Sequence, residues 1–458
     1  MHHPVKILFF FFLYASAFSQ PGYDFLPYDA EKMAWFSQAK LGIFIHWGIY
    51  AVDGTTESWA FFNNEVSYDQ YMAQAKGFTA RNYQPDTWAA LFKEAGARYA
   101  VLTAKHHDGV ALWDSKYSDL TVVKMTPAGK DLIVPYCKAM EKAGLKTGLY
   151  FSHLDWSHPD YASVVPRHII FEDTRNSFAY PPKGQENILR WERFLHFHRG
   201  QIKELCITYK PDLLWFDGTW ERDPEQWNMK TLRDSIDKWN PKIIVNSRMM
   251  GYGNYDTPEQ VIPIVRPQTA WELCMTMNNS WGYRQSDTNY KSIREIIRTF
   301  AECIGNGGNL LLDIGPMEDG TIPAPQIERL KAIGAWIKKH EEAVYPTVAG
   351  MPYGHFSGPA TYTKDSSIIY LYLFDQALEY IPVKGIRNKI KQIRVVGTTE
   401  VLTWKKSGGA KWINVPGTLL IDVPRNIDPY LTVIAIELEN KLDLYHGIGH
   451  KEDVYCNY

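Results

Sequence analysis

Residues 211–220, PDLLWFDGTW, hold a short apolar run, Leu213 to Phe216, that ends on the carboxylate of Asp217. Strands of a parallel sheet are buried on both faces, so an uninterrupted apolar run of this length predicts a parallel strand. In barrels built from such strands, polar groups at the carboxyl ends form the active site. Asp217 is therefore a candidate catalytic residue. The alternative is that it opens a loop and caps the next helix.

The same pattern, an apolar run followed by polar side chains, recurs along the chain. It occurs in residues 41–47 (LGIFIHW), 99–109 (YAVLTAKHHDG), 145–158 (LKTGLYFSHLDWSH), 243–248 (IIVNSR) and 309–316 (NLLLDIGP). Helical segments lie between these runs, for example residues 132–143, so the region from about residue 28 to residue 342 predicts an α/β fold with a (β/α)8-like barrel. An open doubly wound sheet is the alternative. A closed barrel brings His46, His106, His107, Asp217 and Arg248 into one pocket.

Length and charge limit the possible partners. A chain of 458 residues is long enough for a barrel and a smaller second domain. Its 49 basic and 51 acidic residues give a net charge of -2, so neither nucleic acid nor an anionic membrane is an expected partner. Aromatic residues make up 14% of the chain, which is compatible with stacking on carbohydrate or simply with a large core.

The sequence changes character after residue 342. Short runs such as 367–373 (SIIYLYL) and 431–437 (LTVIAIE) show a two-residue alternation, and turn residues lie between the runs. This pattern predicts a C-terminal antiparallel β-sandwich of about eight strands. We expect a catalytic domain over residues 20–345 and a sandwich over residues 346–458. The sandwich has no cluster of catalytic residue types, so a structural role is favoured over carbohydrate binding.

The amino-terminal residues have the features of a signal peptide. Lys6 precedes the apolar run 7–14, which is shorter than the roughly 20 residues needed to cross a bilayer, and the small-residue segment ASAFS follows. We expect cleavage near Ser19 and a protein that is secreted, periplasmic or, in a eukaryote, lysosomal, without membrane insertion. The five cysteines show no CxxC spacing, and their odd number leaves at least one unpaired.

Taken together, these motifs resemble a known enzyme family. The segments are GIFIHWGIYAV, VLTAKHHDGVALWDSKYSD, GLYFSHLDWSHPDY, YKPDLLWFDGTW, WELCMTMNNSWGYR and GGNLLLDIGPMEDGTIP. They are similar to the α-L-fucosidases of glycoside hydrolase family 29 and occur in the expected order. The resemblance implies a barrel followed by a β-sandwich, and hydrolysis of terminal α-L-fucose from fucosylated oligosaccharides or glycoconjugates with retention of configuration. It implies no metal or organic cofactor.

Retaining hydrolysis needs two carboxyl groups, a nucleophile and an acid/base, about 5 Å apart. Asp217 matches the family's nucleophile. The family's acid/base comes from a variable loop after the Asn-x-Arg element, here Asn246 to Arg248, and Glu259 in that loop is the first choice. Glu272 is the competitor, and Asp256 ranks third.

The resemblance also implies a set of sugar-binding residues, because each hydroxyl of a buried sugar needs an oriented partner. The positions that match are His46, Trp59, His106, His107, Arg248 and Trp281. Tyr150 is a further expected contact, and Trp215 is expected to form the wall of the pocket beside Asp217. Trp281 matches an aromatic residue that shields the apolar face around the fucose methyl group. Two positions depart from the family: Ser58 separates Glu57 from Trp59, so Trp59 matches better than Glu57, and Val110 replaces a Phe.

Two other classes of function are open at this point. A metal-dependent hydrolase would use His46, His106, His107, His153 and Asp217 as ligands, although the usual His-x-His pair on the first strand is missing. A fucose-binding protein without activity is the other class, and the intact Asp217 and Arg248 argue against it.

Overall fold

The computed structural model describes residues 29–161, 186–374 and 379–447. The predicted signal peptide and Cys456 lie outside these residues. In the described part, Cys137, Cys206, Cys274 and Cys303 are all free thiols. No helix there is both long enough and apolar enough to cross a membrane.

A curved parallel sheet forms the centre of the first region. Its seven strands within the described residues are β1 (Leu41–Ile45), β2 (Tyr99–Lys105), β3 (Lys146–Ser152), β4 (Leu213–Asp217), β5 (Ile244–Val245), β6 (Glu272–Thr276) and β7 (Asn309–Ile314). They are hydrogen-bonded in the order β5-β4-β3-β2-β1-β7-β6, and every pairing is parallel. The strand β6 was not predicted from the sequence. The strands at the other predicted runs are confirmed, although β5 is only two residues long.

An extended segment, residues 254–260, fills the gap between β5 and β6. On one side Ser247 N–H donates to Tyr255 O, and on the other Glu272 N–H donates to Asp256 O. Single parallel bridges join Asn246 to Tyr255 and Glu259 to Cys274. The segment therefore acts as an irregular eighth strand, which confirms a barrel rather than an open sheet.

The helices of this region surround the sheet. They are α1 (Ala30–Ala39), α2 (Trp59–Phe62), α3 (Tyr68–Ala73), α4 (Pro85–Glu94), α5 (Val122–Met125), α6 (Ile133–Ala143), α7 (Ile188–Glu204), α8 (Pro224–Trp227), α9 (Met229–Trp239), α10 (Ile293–Gly305), α11 (Ala324–Lys339) and α12 (Glu341–Val344). The predicted helix over residues 132–143 is α6, with Leu132 at its N-cap. It ends at Gly144, whose φ of 76° is in the left-handed region that favours glycine at helix ends.

The residues of each strand alternate between two buried faces. Phe44, Tyr150 and Trp215 belong to a cluster inside the barrel, whereas their neighbours pack against the helices. The inner rings are in contact, with 5.0 Å between the centroids of Phe44 and Trp215. Since side chains repeat every second residue, Asp217 follows Trp215 on the inner face. Burial on both faces explains the continuous apolar run, and the two-residue repeat directs Asp217 into the barrel mouth.

Eight further strands form the C-terminal part of the described chain, and all of their pairings are antiparallel. They are β8 (Thr347–Ala349), β9 (Ala360–Thr363), β10 (Ile368–Leu373), β11 (Tyr380–Val383), β12 (Ile390–Val395), β13 (Trp404–Ser407), β14 (Thr418–Asp422) and β15 (Thr432–Leu438). One sheet has the order β12-β15-β10-β9-β8 and the other β11-β14-β13. Residues of both sheets share one apolar core, including Leu371, Val383 and Leu419. The predicted β-sandwich is confirmed.

Candidate active site

A cavity of about 290 Å³ opens at the carboxyl ends of the barrel strands. It is lined by every site residue predicted from the sequence except Glu272 and the third acid/base candidate, Asp256. The lining residues are Phe44, His46, Glu57, Trp59, His106, His107, Tyr150, Trp215, Asp217, Trp220, Arg248, Glu259, Cys274 and Trp281. Residues from widely separated segments meet there because parallel strands place their carboxyl ends on one face.

Asp217 is the last residue of β4 and has a partner on each carboxylate oxygen. Oδ2 accepts a hydrogen bond of 2.8 Å from the Tyr150 hydroxyl, and Oδ1 accepts one of 2.6 Å from Nη1 of Arg248. Burial raises the pKa of Asp217, but the charge and hydrogen bond of Arg248, together with the hydrogen bond of Tyr150, outweigh it, and the net pKa lies below the usual range. The Asp217 carboxylate is therefore ionised at neutral pH.

Arg248 joins the two candidate catalytic carboxylates. While Nη1 binds Asp217, Nη2 donates a hydrogen bond of 2.7 Å to Oε2 of Glu259. The guanidinium carbon lies 4.6 Å from the centre of the Trp215 ring. His153 lies 3.2 Å from the Arg248 carbonyl oxygen through Nε2 and 3.1 Å from Nε2 of His198 through Nδ1. His153 thus supports the backbone of Arg248 and is not part of the cavity lining.

Glu259 is placed by the irregular eighth strand of the barrel. Cys274 N–H donates to Pro258 O, and Gln260 N–H donates to Cys274 O, which fixes the backbone on both sides of Glu259. The Glu259 side chain is 43% exposed, whereas that of Asp217 is only 12% exposed. Glu259 therefore lies at the mouth of the cavity and Asp217 lies deeper inside it.

Glu272, the alternative acid/base, lies at the opposite end of the barrel. It is the first residue of β6, pairs with the first residue of β7 and is fully buried. Its carboxyl group accepts hydrogen bonds from the Tyr99 hydroxyl and from Nε1 of Trp215, the latter at 2.9 Å. Burial raises the pKa of Glu272 to about 7. The structure therefore gives Glu272 a position below Trp215, away from the cavity.

Asp256, the third candidate, also lies outside the cavity lining. Its Oδ2 accepts a hydrogen bond of 2.7 Å from the Thr269 hydroxyl. It contributes instead to a neighbouring cavity beside Arg248, together with Ser247 and Thr257.

Three histidines line the cavity, and each is held through Nδ1. His46 Nδ1 lies 2.7 Å from Oδ1 of Asp313, whereas His106 and His107 each lie 2.6 Å from a serine hydroxyl. Burial lowers the pKa of all three imidazoles well below the ordinary value. All three rings are therefore neutral at neutral pH.

Aromatic rings form the walls around these groups. Trp281 packs against His46 with 4.9 Å between ring centroids. At the opposite side Trp59 stacks on Trp220 at 6.0 Å, and Trp59 meets His107 edge to face at 5.6 Å. Rings of this kind offer apolar faces to a sugar while the polar groups reach its hydroxyls.

Glu57 also belongs to the cavity lining. Although Ser58 separates it from Trp59, Glu57 lines the cavity, and its Oε1 accepts a hydrogen bond of 2.5 Å from Gly282 N–H, next to Trp281. Burial raises the pKa of Glu57. Phe44 and Cys274 line the cavity but were not predicted as site residues. Trp220 also lines it and, with Trp215, flanks Asp217 in the stretch 211–220, where an aromatic face could stack on a sugar. Val110 is buried outside the cavity lining.

The described residues contain no group of three or more His, Cys, Asp or Glu side chains arranged to hold a metal ion. His153, one of the ligands in the metal hypothesis, is bonded to His198 and the Arg248 backbone. Of the five residues in that hypothesis, His153 therefore lies outside the cavity that the other four line.

The chain is similar to known proteins over most of its length. The alpha-L-fucosidase family model matches residues 23–342. Tissue alpha-L-fucosidase of Mus musculus is 30% identical, over 92% of this chain and 94% of the mouse protein. The structure of alpha-L-fucosidase isoenzyme 1 from Paenibacillus thiaminolyticus has a TM-score of 0.79 and 30% identity, covering 90% of this chain and 99% of that chain.

A GH29 alpha-L-fucosidase from Bacteroides thetaiotaomicron, a trapped covalent intermediate in complex with 2-fluoro-fucosyl fluoride, is also similar. Its TM-score is 0.76 with 26% identity, over 89% of this chain and 96% of that chain. The family model alone spans more than half of the chain. The chain belongs to the alpha-L-fucosidase family, a family of glycoside hydrolases.

Proposed function

We propose that this protein is an exo-acting, retaining α-L-fucosidase that removes terminal α-L-fucose from fucosylated oligosaccharides or glycoconjugates. The observation that carries the proposal is the single guanidinium of Arg248 bound to both Asp217 and Glu259. Carboxylates held by the two ends of one guanidinium are close together, which is compatible with the separation of about 5 to 5.5 Å in retaining glycosidases.

In the first step, an oxygen of Asp217 attacks the anomeric carbon of fucose. The bond from that carbon to the leaving oxygen breaks, and Glu259 gives its proton to the leaving oxygen. The low pKa of Asp217 supports its role as nucleophile, because only the ionised carboxylate has an electron pair available for attack. The product of this step is a fucosyl ester of Asp217.

In the second step, water attacks the same carbon from the side that the leaving group vacated. Glu259 takes a proton from the water, and the ester bond to Asp217 breaks. Two inversions at one carbon give net retention. The exposure of Glu259 at the cavity mouth supports this role, since the leaving group departs and water enters there.

The cavity supports recognition of one terminal sugar. A volume of about 290 Å³ suits a single ring, and the glycan that carries it remains outside, beyond Glu259. His46, His106, His107 and Arg248 are the proposed partners of the fucose hydroxyls. Trp281 is the proposed cover for the methyl group, with Trp59, Tyr150 and Trp215 as further walls.

The Bacteroides thetaiotaomicron relative supports a covalent step, because its structure is a trapped covalent intermediate with 2-fluoro-fucosyl fluoride. The same reagent tests the proposal directly here. After incubation with it and proteolysis, mass spectrometry should find one fluorofucosyl group on the peptide with Asp217. A label on any other residue would refute Asp217 as the nucleophile.

Kinetics with external azide tests the acid/base. We expect Glu259→Ala to keep activity on an aryl α-L-fucoside with a good leaving group and to give α-fucosyl azide, because azide replaces the water of the second step. Asp217→Ala should lose at least about 10³-fold in kcat, and any azide product should be the β-anomer. Glu272→Gln is the matched control. If Glu272→Gln responds to azide and Glu259→Ala does not, the assignment is wrong.

The domain limits and the export of the chain are also proposals. Strand β8, which begins at Thr347, belongs to the antiparallel sheet, and this supports a boundary near residue 345. Export rests on the apolar run after Lys6. Mass spectrometry of the amino terminus after expression in an exporting host tests cleavage near Ser19.

A further inference from the structure

Two adjacent histidines of the cavity are held by serines that come from different elements. His106 Nδ1 lies 2.6 Å from Oγ of Ser58, at the N-cap of α2, and His107 Nδ1 lies 2.6 Å from Oγ of Ser152, the last residue of β3. Both serines are fully buried. The position of each hydroxyl proton therefore decides which ring nitrogen of the histidine carries hydrogen.

The hydroxyl of Ser152 already has an acceptor other than the imidazole. Its Oγ lies 2.9 Å from the carbonyl oxygen of Leu154. A carbonyl oxygen accepts only, so the single Ser152 proton points to Leu154, and the same Oγ accepts from His107. Nδ1 of His107 must then carry hydrogen, and Nε2 of the neutral ring is an acceptor. This Nε2 faces the proposed nucleophile and lies 3.8 Å from Oδ2 of Asp217.

The hydroxyl of Ser58 is in the opposite situation. Its Oγ accepts a hydrogen bond of 2.8 Å from Asp108 N–H, and in the described part of the chain His106 Nδ1 is the one acceptor within reach of its proton. If His106 donated from Nδ1, a buried hydroxyl proton would be left without an acceptor, which is unfavourable. Nδ1 of His106 therefore accepts, and Nε2 carries hydrogen.

We propose that Ser58 and Ser152 are positioning residues that fix His106 and His107 in opposite tautomers, so that the cavity presents an Nε2–H donor beside an Nε2 acceptor. The two rings are 4.2 Å apart between centroids, close enough to meet neighbouring hydroxyls of one sugar. The sugar hydroxyl next to His106 then accepts a hydrogen bond from Nε2–H, and the sugar hydroxyl next to His107 donates one to Nε2. The inference rests on the proposed function for its ligand, but the tautomers themselves belong to the free enzyme.

The experiment is ¹⁵N NMR of the free protein with labelled histidine at neutral pH. In a neutral imidazole the nitrogen without hydrogen resonates far downfield of the one that carries it, so the spectrum distinguishes the tautomers. His106→Gln and His107→Gln identify the two sets of signals by their disappearance. We expect Nδ1 to be the downfield nitrogen in His106 and Nε2 in His107. Identical tautomers, or two charged rings, overturn the proposal. No turnover is involved, so this result is independent of whether the protein hydrolyses fucosides.

Variants of the serines link the tautomer to binding. Ser152→Ala should leave His107 free to exchange its tautomer, with averaged ¹⁵N shifts and a KM for the aryl fucoside raised about tenfold, while Ser152→Thr keeps the hydroxyl and the wild-type shifts. Ser58→Ala should do the same at His106 and leave the shifts of His107 unchanged. Wild-type ¹⁵N shifts in a folded Ser152→Ala protein would refute the role of that serine.

Discussion

Nη1 of Arg248 lies 2.6 Å from Oδ1 of Asp217, and this contact joins the end of β4 to the turn that follows β5. The other amino group of Arg248 reaches Glu259 at 2.7 Å. The arginine thus keeps Asp217 ionised and orients the proposed acid/base. A planar, bidentate group is required for both tasks, and lysine does not supply one.

Replacing Arg248 by lysine should lower kcat/KM on an aryl fucoside by about a hundredfold or more, because one charged donor in a water-excluded site is lost. The pKa of Asp217 lies below its ordinary range largely through Arg248, so it should rise in this variant. Activity needs the ionised carboxylate, and the acidic limb of the kcat/KM profile should move to higher pH. Arg81→Lys, at an exposed position, is the control. An unmoved acidic limb in Arg248→Lys would contradict the role of Arg248.

Trp281 should determine the preference for a sugar with a methyl group. Trp281→Ala removes the apolar cover beside His46, so kcat/KM for the fucoside should fall by roughly 10- to 100-fold. The matched aryl glycoside whose sugar lacks only the methyl group should be hardly affected. Trp281→Phe, which keeps an aromatic face, should retain most of the discrimination. Equal losses for both substrates would mean that Trp281 does not contact the methyl group.

Glu272 should make stability depend on pH. Burial raises its pKa to about 7 in the folded chain, above the ordinary value of 4.5. The folded state therefore holds this proton more tightly, and the resulting stability is present below pH 4.5 and lost as pH rises through 7. Glu272→Gln has no proton to lose, and its amide oxygen still accepts from Trp215.

The free energy of unfolding of Glu272→Gln should therefore increase relative to that of the wild type as pH rises from 4.5 to 8, by a total on the order of 3 kcal/mol. Urea unfolding of both proteins across this range measures the difference. A constant difference would show that Glu272 does not titrate in this range.

The side chain of Asn246 continues the hydrogen bonding to β4 beyond the end of β5. Strand β5 ends at Val245, and the Asn246 side chain accepts from Phe216 N–H and donates to Phe216 O, both at 2.9 Å. Asn246→Ala leaves both buried groups of Phe216 unpaired on that side, so unfolding free energy should fall by roughly 2 to 5 kcal/mol. Thermal unfolding measures the loss. Asn289→Ala, at an exposed position, should change the free energy of unfolding little. An equally small effect of Asn246→Ala would contradict a stabilising role for its two hydrogen bonds to Phe216.

Six of the seven regular barrel strands in the described residues, and the groups at their carboxyl ends, could be predicted from the sequence. Continuous apolar runs are required where a strand is buried on both faces, and polar residues such as His46 and Asp217 directly after those runs could be assigned to one pocket without coordinates. After residue 342, the two-residue alternation within short runs is also a local pattern, and it predicted the β-sandwich.

The eighth strand and the positions of the two candidate acids depend on long-range pairing, so they could be assigned from the tertiary structure alone. The eighth strand was not predicted because residues 254–260 are mostly polar and include Pro258, and their backbone is held in place by hydrogen bonds to residues of β5 and β6 and the segments beside them. That pairing carries Glu259 to the cavity, whereas Glu272, which belongs to an equally distinctive motif, begins its strand at the far end of the barrel. The sequence did not show which of these two acids reaches the cavity. The register of the closed sheet fixes the end of the barrel at which each residue lies.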